Sequence, residues 1–247
     1  MDPLIIARPV AILAVSCLAL LPIPPKADAD YSVLVKLTSN YVYRGYSKSS
    51  GEPVIQGSLD FEHSSGFFVG TWISQVDFDD GANEDRAHIE VNPYMGWSFS
   101  LSEDWRAEAM VAGYVYDGRV YGRGADYGEL FGEVHFRDLV TARVGVAYDA
   151  YGSSNSIEDY ELQARFPLAE NVNFSSSIGY EDANTVFGYD SLYWNIGVTW
   201  FLPKYAALDL RYYDTSPTDQ ERLDPIRPAS GPAGVENHFV VSVSFAF

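Results

Sequence analysis

The chain has 247 residues and a formal net charge of −18, with 47% hydrophobic and 15% aromatic residues, 18 of them tyrosines. Such an acid excess argues against nucleic-acid binding, which needs a basic face. Past residue 29 no apolar stretch reaches the roughly 20 residues of a spanning helix. The glycine- and aromatic-rich remainder therefore reads as one β domain, a secreted sandwich or a transmembrane barrel.

Residues 1–29 carry Arg8, an apolar run over 9–23 and the small-residue site Ala27-Asp28-Ala29. This is the pattern of a cleaved export signal peptide, and it leaves 30–247 as the mature domain. Its removal takes away as many acids as bases, so the charge stays at −18. The single cysteine, Cys17, lies in the apolar run, and Ala14-Val15-Ser16-Cys17 lacks the usual leucine of a lipobox. The mature chain then has no thiol or disulfide chemistry.

Apolar and polar residues alternate in twelve segments, near 31–43, 53–62, 66–78, 86–99, 105–117, 127–136, 140–150, 157–167, 172–181, 191–202, 206–214 and 236–247. Soluble strands average about 5–6 residues, whereas a tilted strand needs about 9–11 to cross a bilayer. Most of these segments meet the longer requirement. The connections sort by length as well. Short ones at 63–66, 101–104, 137–139, 168–171 and 203–205 alternate with longer polar ones at 44–52, 79–85, 118–126, 151–156, 182–190 and the Pro-rich 215–235. Short turns on one side, long loops on the other and an even strand count are the pattern of an outer-membrane barrel.

A dozen strands closed in water would leave too much interior to fill with apolar side chains. In lipid the polarity inverts, and the charged face lines a lumen. The alternation then predicts a wall of Lys36, Asn40, Asp60, His88, Glu90, Asn92, Arg106, Glu108, Glu129, Glu133, Arg143, Asp149, Glu161, Arg165, Asp209 and Arg211, with Arg44 just past the first strand. For the third segment both faces, Val69/Ile73 and Phe68/Trp72, suit lipid. Aromatics at strand ends form two interfacial belts. One holds Tyr31, Trp97, Trp105, Phe166, Trp200 and Phe247, and the other Tyr41, Tyr43, Tyr148, Tyr160, Tyr180, Trp194, Tyr212 and Phe239.

The chain stops on FVVSVSFAF, which puts Phe239, Val241, Val243, Phe245 and Phe247 on one greasy face. In a soluble protein this would be a sticky edge. A closed barrel has no edge, and such a last strand is the expected assembly signal for the barrel-assembly machinery. Outer-membrane lipid and lipopolysaccharide are the expected surroundings.

Ser39-Asn40-Tyr41, Arg44-Gly45, Ser47, Pro53, Gln56-Gly57, Gly66-Phe67, Gly70 and Trp72 form a spaced set over about forty residues. This stretch resembles the opening of the TorF-type porins, also called the Gcw_chp family. The family pattern continues with Gly-Ser-Asn after the tryptophan, where this chain has Ile73-Ser74-Gln75. The resemblance implies an outer-membrane pore and no defined substrate.

Nothing in the pattern demands an enzyme. Glu129 and Glu133 share a face with His135, as do Glu161 and Arg165, but carboxylates in a narrow barrel ordinarily prop its wall. Among His63, His88, His135 and His238 no pair has ligand spacing within one segment, so neither metal nor cofactor is expected. A lipid hydrolase would need a lipid-facing Ser–His pair, and none of the histidines falls clearly on that face; a surface protease could use His88 or His238 with Asp79, Asp80 or Glu84 at the outer rim. Arg44 has two readings, an ion pair that orders the first loop or an anion-orienting group at the mouth. The sequence thus points to a passive channel for small polar solutes with a mild cation preference. A non-conducting structural or adhesive barrel, with 215–235 as contact surface or plug, is the alternative.

Overall fold

The structure is a computed structural model and describes residues 29–78, 85–217 and 237–247. Residues 1–28 of the expected signal peptide, the segment 79–84 and most of the Pro-rich segment lie outside the described residues, whereas Ala29 is the first residue of the first strand.

The strands are β1 (Ala29–Thr38), β2 (Val42–Tyr43), β3 (Tyr46–Ser47), β4 (Val54–His63), β5 (Phe67–Gln75), β6 (Ile89–Ser100), β7 (Trp105–Tyr116), β8 (Tyr127–Phe136), β9 (Val140–Tyr148), β10 (Ile157–Ala169), β11 (Val172–Asp182), β12 (Ser191–Leu202), β13 (Ala206–Pro217) and β14 (His238–Ala246). All but β2 and β3 form a closed barrel in which each strand pairs antiparallel with its neighbours. These are the twelve strands the alternation marked out. The seam is β1 against β14, with Leu34 opposite Ala246 and Thr38 opposite Ser242. Phe247 extends it, since its N–H donates to the Val33 carbonyl and its own carbonyl accepts from the Val33 N–H.

The barrel is inside out relative to a soluble one. Val35, Leu37, Ile55, Leu59, Val111, Leu130, Val144, Leu162, Ile196 and Leu210 are exposed on the outer wall, while Asp60, Glu90, Glu108, Glu129, Asp159 and Arg211 are buried within. An apolar face this continuous is stable only against lipid. The third barrel strand, β5, is settled by burial. Ile73 faces out and Phe68 and Trp72 face in, where Trp72 packs on Tyr41 with ring centroids 5.1 Å apart.

One expected strand is corrected. The segment near 31–43 ends as a wall strand at Thr38, and the chain beyond it turns into the barrel as the hairpin β2–β3. The loop expected outside at 44–52 is thus largely inside, and Tyr41 and Tyr43 are buried rather than part of the outer aromatic belt. The cause is local. Arg44 and Gly45 both have positive φ, 46° and 83°, between Tyr43 and Tyr46, which pair across the turn. A two-residue connection of that kind reverses the chain with the twist of a β-hairpin. A Cβ at Gly45 would lie 1.7 Å from Thr215 Oγ1, so only glycine fits.

Candidate functional site

The interior has two parts. Toward the long loops it is filled by the β2–β3 hairpin and a bed of tyrosines. Toward the short turns it is a charged wall.

The hairpin is tied at its neck. Asn40 Oδ1 accepts from Ser47 Oγ at 2.6 Å and Ser49 Oγ at 3.0 Å, and the Lys48 N–H donates to the Tyr41 carbonyl at 2.7 Å. At its tip Thr215 Oγ1 donates to the Gly45 carbonyl at 2.8 Å. Lys48 is fully buried. Its ammonium donates to both Glu90 oxygens at 3.0 and 2.9 Å and to the Tyr116 hydroxyl at 3.2 Å. The same charge stands 4.2 Å from the Tyr43 ring centre and 5.2 Å from that of Tyr114. A cation removed from water needs such compensation.

Arg44 reaches across the lumen into three strands. Its guanidinium pairs with Glu129 on β8, with Asp159 on β10 at 3.4 Å and with Glu181 on β11 at 3.4 Å. Arg143 continues the network, pairing with Asp159 at 3.3 Å and with Glu161. The Tyr193 hydroxyl donates to Asp159 at 2.6 Å. Four carboxylates thus surround two guanidiniums. Of the two readings of Arg44, the ion pair is the observed one, and it orders a hairpin inside the lumen. Around it Tyr114 stacks on Tyr127 at 4.4 Å, and Tyr46 bonds Tyr151 hydroxyl to hydroxyl at 2.6 Å.

Below the hairpin, Arg211 donates to Asn195 at 2.6 Å, to Asp209 at 3.1 and 3.2 Å and to Ser175 at 2.7 Å. Asp60 accepts from the hydroxyls of Tyr94 and Ser58. Near the short turns Glu108, Glu133 and His135 bring ligand-type atoms within 4.8 Å of one another. At that rim Arg137 hydrogen-bonds Asp104 at 2.8 Å, which holds the Asp104 carboxyl below the usual carboxylate range.

The predicted wall residues fall as follows. Asn40, Arg44, Asp60, Glu90, Asn92, Glu108, Glu129, Glu133, Arg143 and Arg211 are buried. Lys36, Arg106, Glu161, Arg165 and Asp209 stand on the same inner face, partly buried. His88 precedes β6 and is exposed, and Asp149 sits past the end of β9 in an exposed turn with φ 53°.

Of the spaced N-terminal motif, Asn40, Tyr41, Arg44, Gly45 and Ser47 build the hairpin. Ser39 ties its base to the seam, its Oγ accepting from the Val241 N–H at 3.0 Å. Pro53 is exposed just before β4, where Gln56 donates to Ser74 Oγ at 3.1 Å and Gly57 lies opposite Val35. Gly66 turns the chain into β5, where Phe67 packs on Trp97 at 5.8 Å. Gly70 leaves the space that Tyr94 fills, since a Cβ there would lie 2.6 Å from its ring.

Lys48 and Glu181 were not among the residues expected in the lumen, whereas the alternation does put Asp159 on the charged face with Glu161. Glu181 could have been found, because it shares the inner face of its strand with Gly179 and stands opposite Asp159 in register. Lys48 could not, since a lysine among serines reads as an exposed loop.

A closed twelve-stranded barrel with an apolar outer wall and a charged interior defines the chain as a transmembrane β-barrel of the outer-membrane type. Residues 24–247 match the family model described as a bacterial protein of unknown function (Gcw_chp), and the chain belongs to that family. No curated protein sequence matches it.

Solved structures of the same fold include the KdgM porin in complex with disordered oligogalacturonate, at 6% identity and a TM-score of 0.55, covering 87% of this chain and 99% of that one. The NanC porin superposes at 9% identity and 0.54, covering 87% and 99%. The COG4313 outer membrane channel from Pseudomonas putida F1 superposes at 11% identity and 0.53, covering 96% and 98%. At these identities the likeness is one of fold.

Proposed function

We propose that this chain is an outer-membrane channel for small polar solutes, of the TorF type, narrowed by its own β2–β3 hairpin and mildly selective for cations. The observation that carries this reading is the charged inner wall beyond the hairpin, where Asp60, Glu108, Glu133 and Asp209 line the same face as Arg106 and Arg211. Passage is passive and is set by lumen width and lining charge. The oligogalacturonate named with the KdgM porin is a polyanion, a poor match for a lumen this rich in carboxylates.

On this reading the signal peptide directs export, the barrel-assembly machinery reads Phe239 to Phe247, and lipid with lipopolysaccharide surrounds the outer wall. The filled half of the lumen favours a second reading, a non-conducting structural barrel. The test is single-channel recording of the refolded protein in planar bilayers under a salt gradient. Steady openings with a cation-signed reversal potential support the channel. An anion-signed potential overturns the charge argument, and silence at every voltage favours the structural barrel.

A further inference from the structure

The inner wall of β7 and β8 near the short turns holds an arrangement that conduction does not require. Glu108 and Glu133 stand directly opposite each other in the register of these strands, and Arg106 stands opposite His135. Like charges facing each other across a strand pair repel, so this pair of carboxylates needs a cation between or beside it. Arg106 supplies part of it, pairing with Glu108 while its other nitrogen bonds Asp138 at 3.0 Å. Arg143, the register partner of Glu133 on β9, is turned instead toward Asp159 and Glu161.

His135 fills the gap without satisfying it. The residue is 6% exposed, and its Nδ1 is 2.9 Å from Thr141 Oγ1. With Nδ1–H donated to that hydroxyl, the Nε2 lone pair points at the two carboxylates. Nε2 is 3.3 Å from Glu133 Oε2 and 3.9 Å from Glu108 Oε2. It is nevertheless a buried atom with no hydrogen-bond partner, and the same holds for Glu108 Oε2, since Arg106 meets the carboxylate at Oε1. Buried polar atoms left in this state point to a missing partner.

The geometry points to a divalent metal site formed by Glu108, Glu133 and His135, with zinc or a similar first-row ion as the occupant. Donors bound at about 2.0–2.2 Å in a tetrahedral zinc shell lie roughly 3.3–3.6 Å apart, close to the separation found between His135 and Glu133. The imidazole selects against magnesium and calcium, which prefer oxygen alone. Thr141 can hold the ring in the ligating tautomer, its hydroxyl accepting from Nδ1–H. A water would complete the shell as fourth ligand. An ion here relieves the Glu108–Glu133 repulsion and gives Nε2 its partner. Arg106 already holds Asp138, so it can leave Glu108 without losing its own pairing. The site stands whether or not the barrel conducts.

The test is titration of the untagged, metal-free refolded barrel with Zn²⁺ in detergent, with Co²⁺ absorption as a second probe. One ion per barrel is expected. His135→Gln and Glu133→Gln should each weaken binding roughly tenfold or more, the scale of losses at metal sites, while His63→Gln at the exposed rim should leave it unchanged. Heat-modifiable gel mobility reports whether each variant has folded. If the variants do not fold, X-ray absorption on the zinc-loaded wild type decides, with one imidazole and the rest oxygen expected. No binding, binding that survives His135→Gln in a folded barrel, or an all-oxygen shell overturns the site.

Discussion

Arg44 shows how one side chain holds an element inside a membrane barrel. It is nearly fully buried and faces carboxylates from β8, β10 and β11. Taking charges out of water is costly, and removing one partner of a buried pair typically costs about 3–5 kcal/mol, because the other is stranded. Arg44→Ala should therefore lower the urea midpoint of the refolded barrel, since Glu129, Asp159 and Glu181 are left facing one another. Arg44→Lys should recover only part of this loss, because a single ammonium cannot replace a fork that reaches three carboxylates. Equilibrium unfolding followed by tryptophan fluorescence checks both, and an unchanged midpoint in Arg44→Ala would show that the pairing contributes nothing.

At the scale of elements, the wall strands were legible because a period of two leaves no freedom about which face is which. Val144 and Arg143, or Leu162 and Glu161, fall on opposite sides of the sheet whatever the rest of the chain does. The short turns were equally plain, and both strands beside the one at 101–104 begin or end close to where the polarity changes. The hairpin was not legible. Tyr41 and Tyr43 continue the alternation of β1, and the polar run after them has the composition of an outside loop. Its inward fold depends on partners far along the chain, such as Glu90, Glu129 and Thr215, which no local pattern announces. The Glu108–Glu133–His135 group was hidden for the same reason, since it forms across a strand pair.

The last strand makes its own prediction. Phe247 closes the seam through two hydrogen bonds with Val33 and turns an exposed ring to the lipid side. Deleting Phe247 should sharply reduce assembly into membranes that carry the barrel-assembly machinery. Unaided refolding in detergent should suffer much less, and comparing the two folded yields checks this. Equal loss in both settings would make the residue a plain stability element.

The whole molecule is an acidic tube turned inside out, with its greasy side outward and its charges within. What distinguishes it from an open pore is that the chain's own N-terminal motif is folded into one half of the lumen. Lys48 pairs with Glu90 and Arg44 with Glu129, so both anchors are electrostatic and both can be cut without touching a wall strand. The most direct measurement is single-channel conductance of the Arg44→Ala/Lys48→Ala double variant beside the wild type, with folding of both confirmed by gel mobility. A channel narrowed by its hairpin predicts a conductance several-fold larger in the double variant, with the cation preference kept. Equal conductance in two folded barrels would contradict the account and place the limiting constriction elsewhere on the wall.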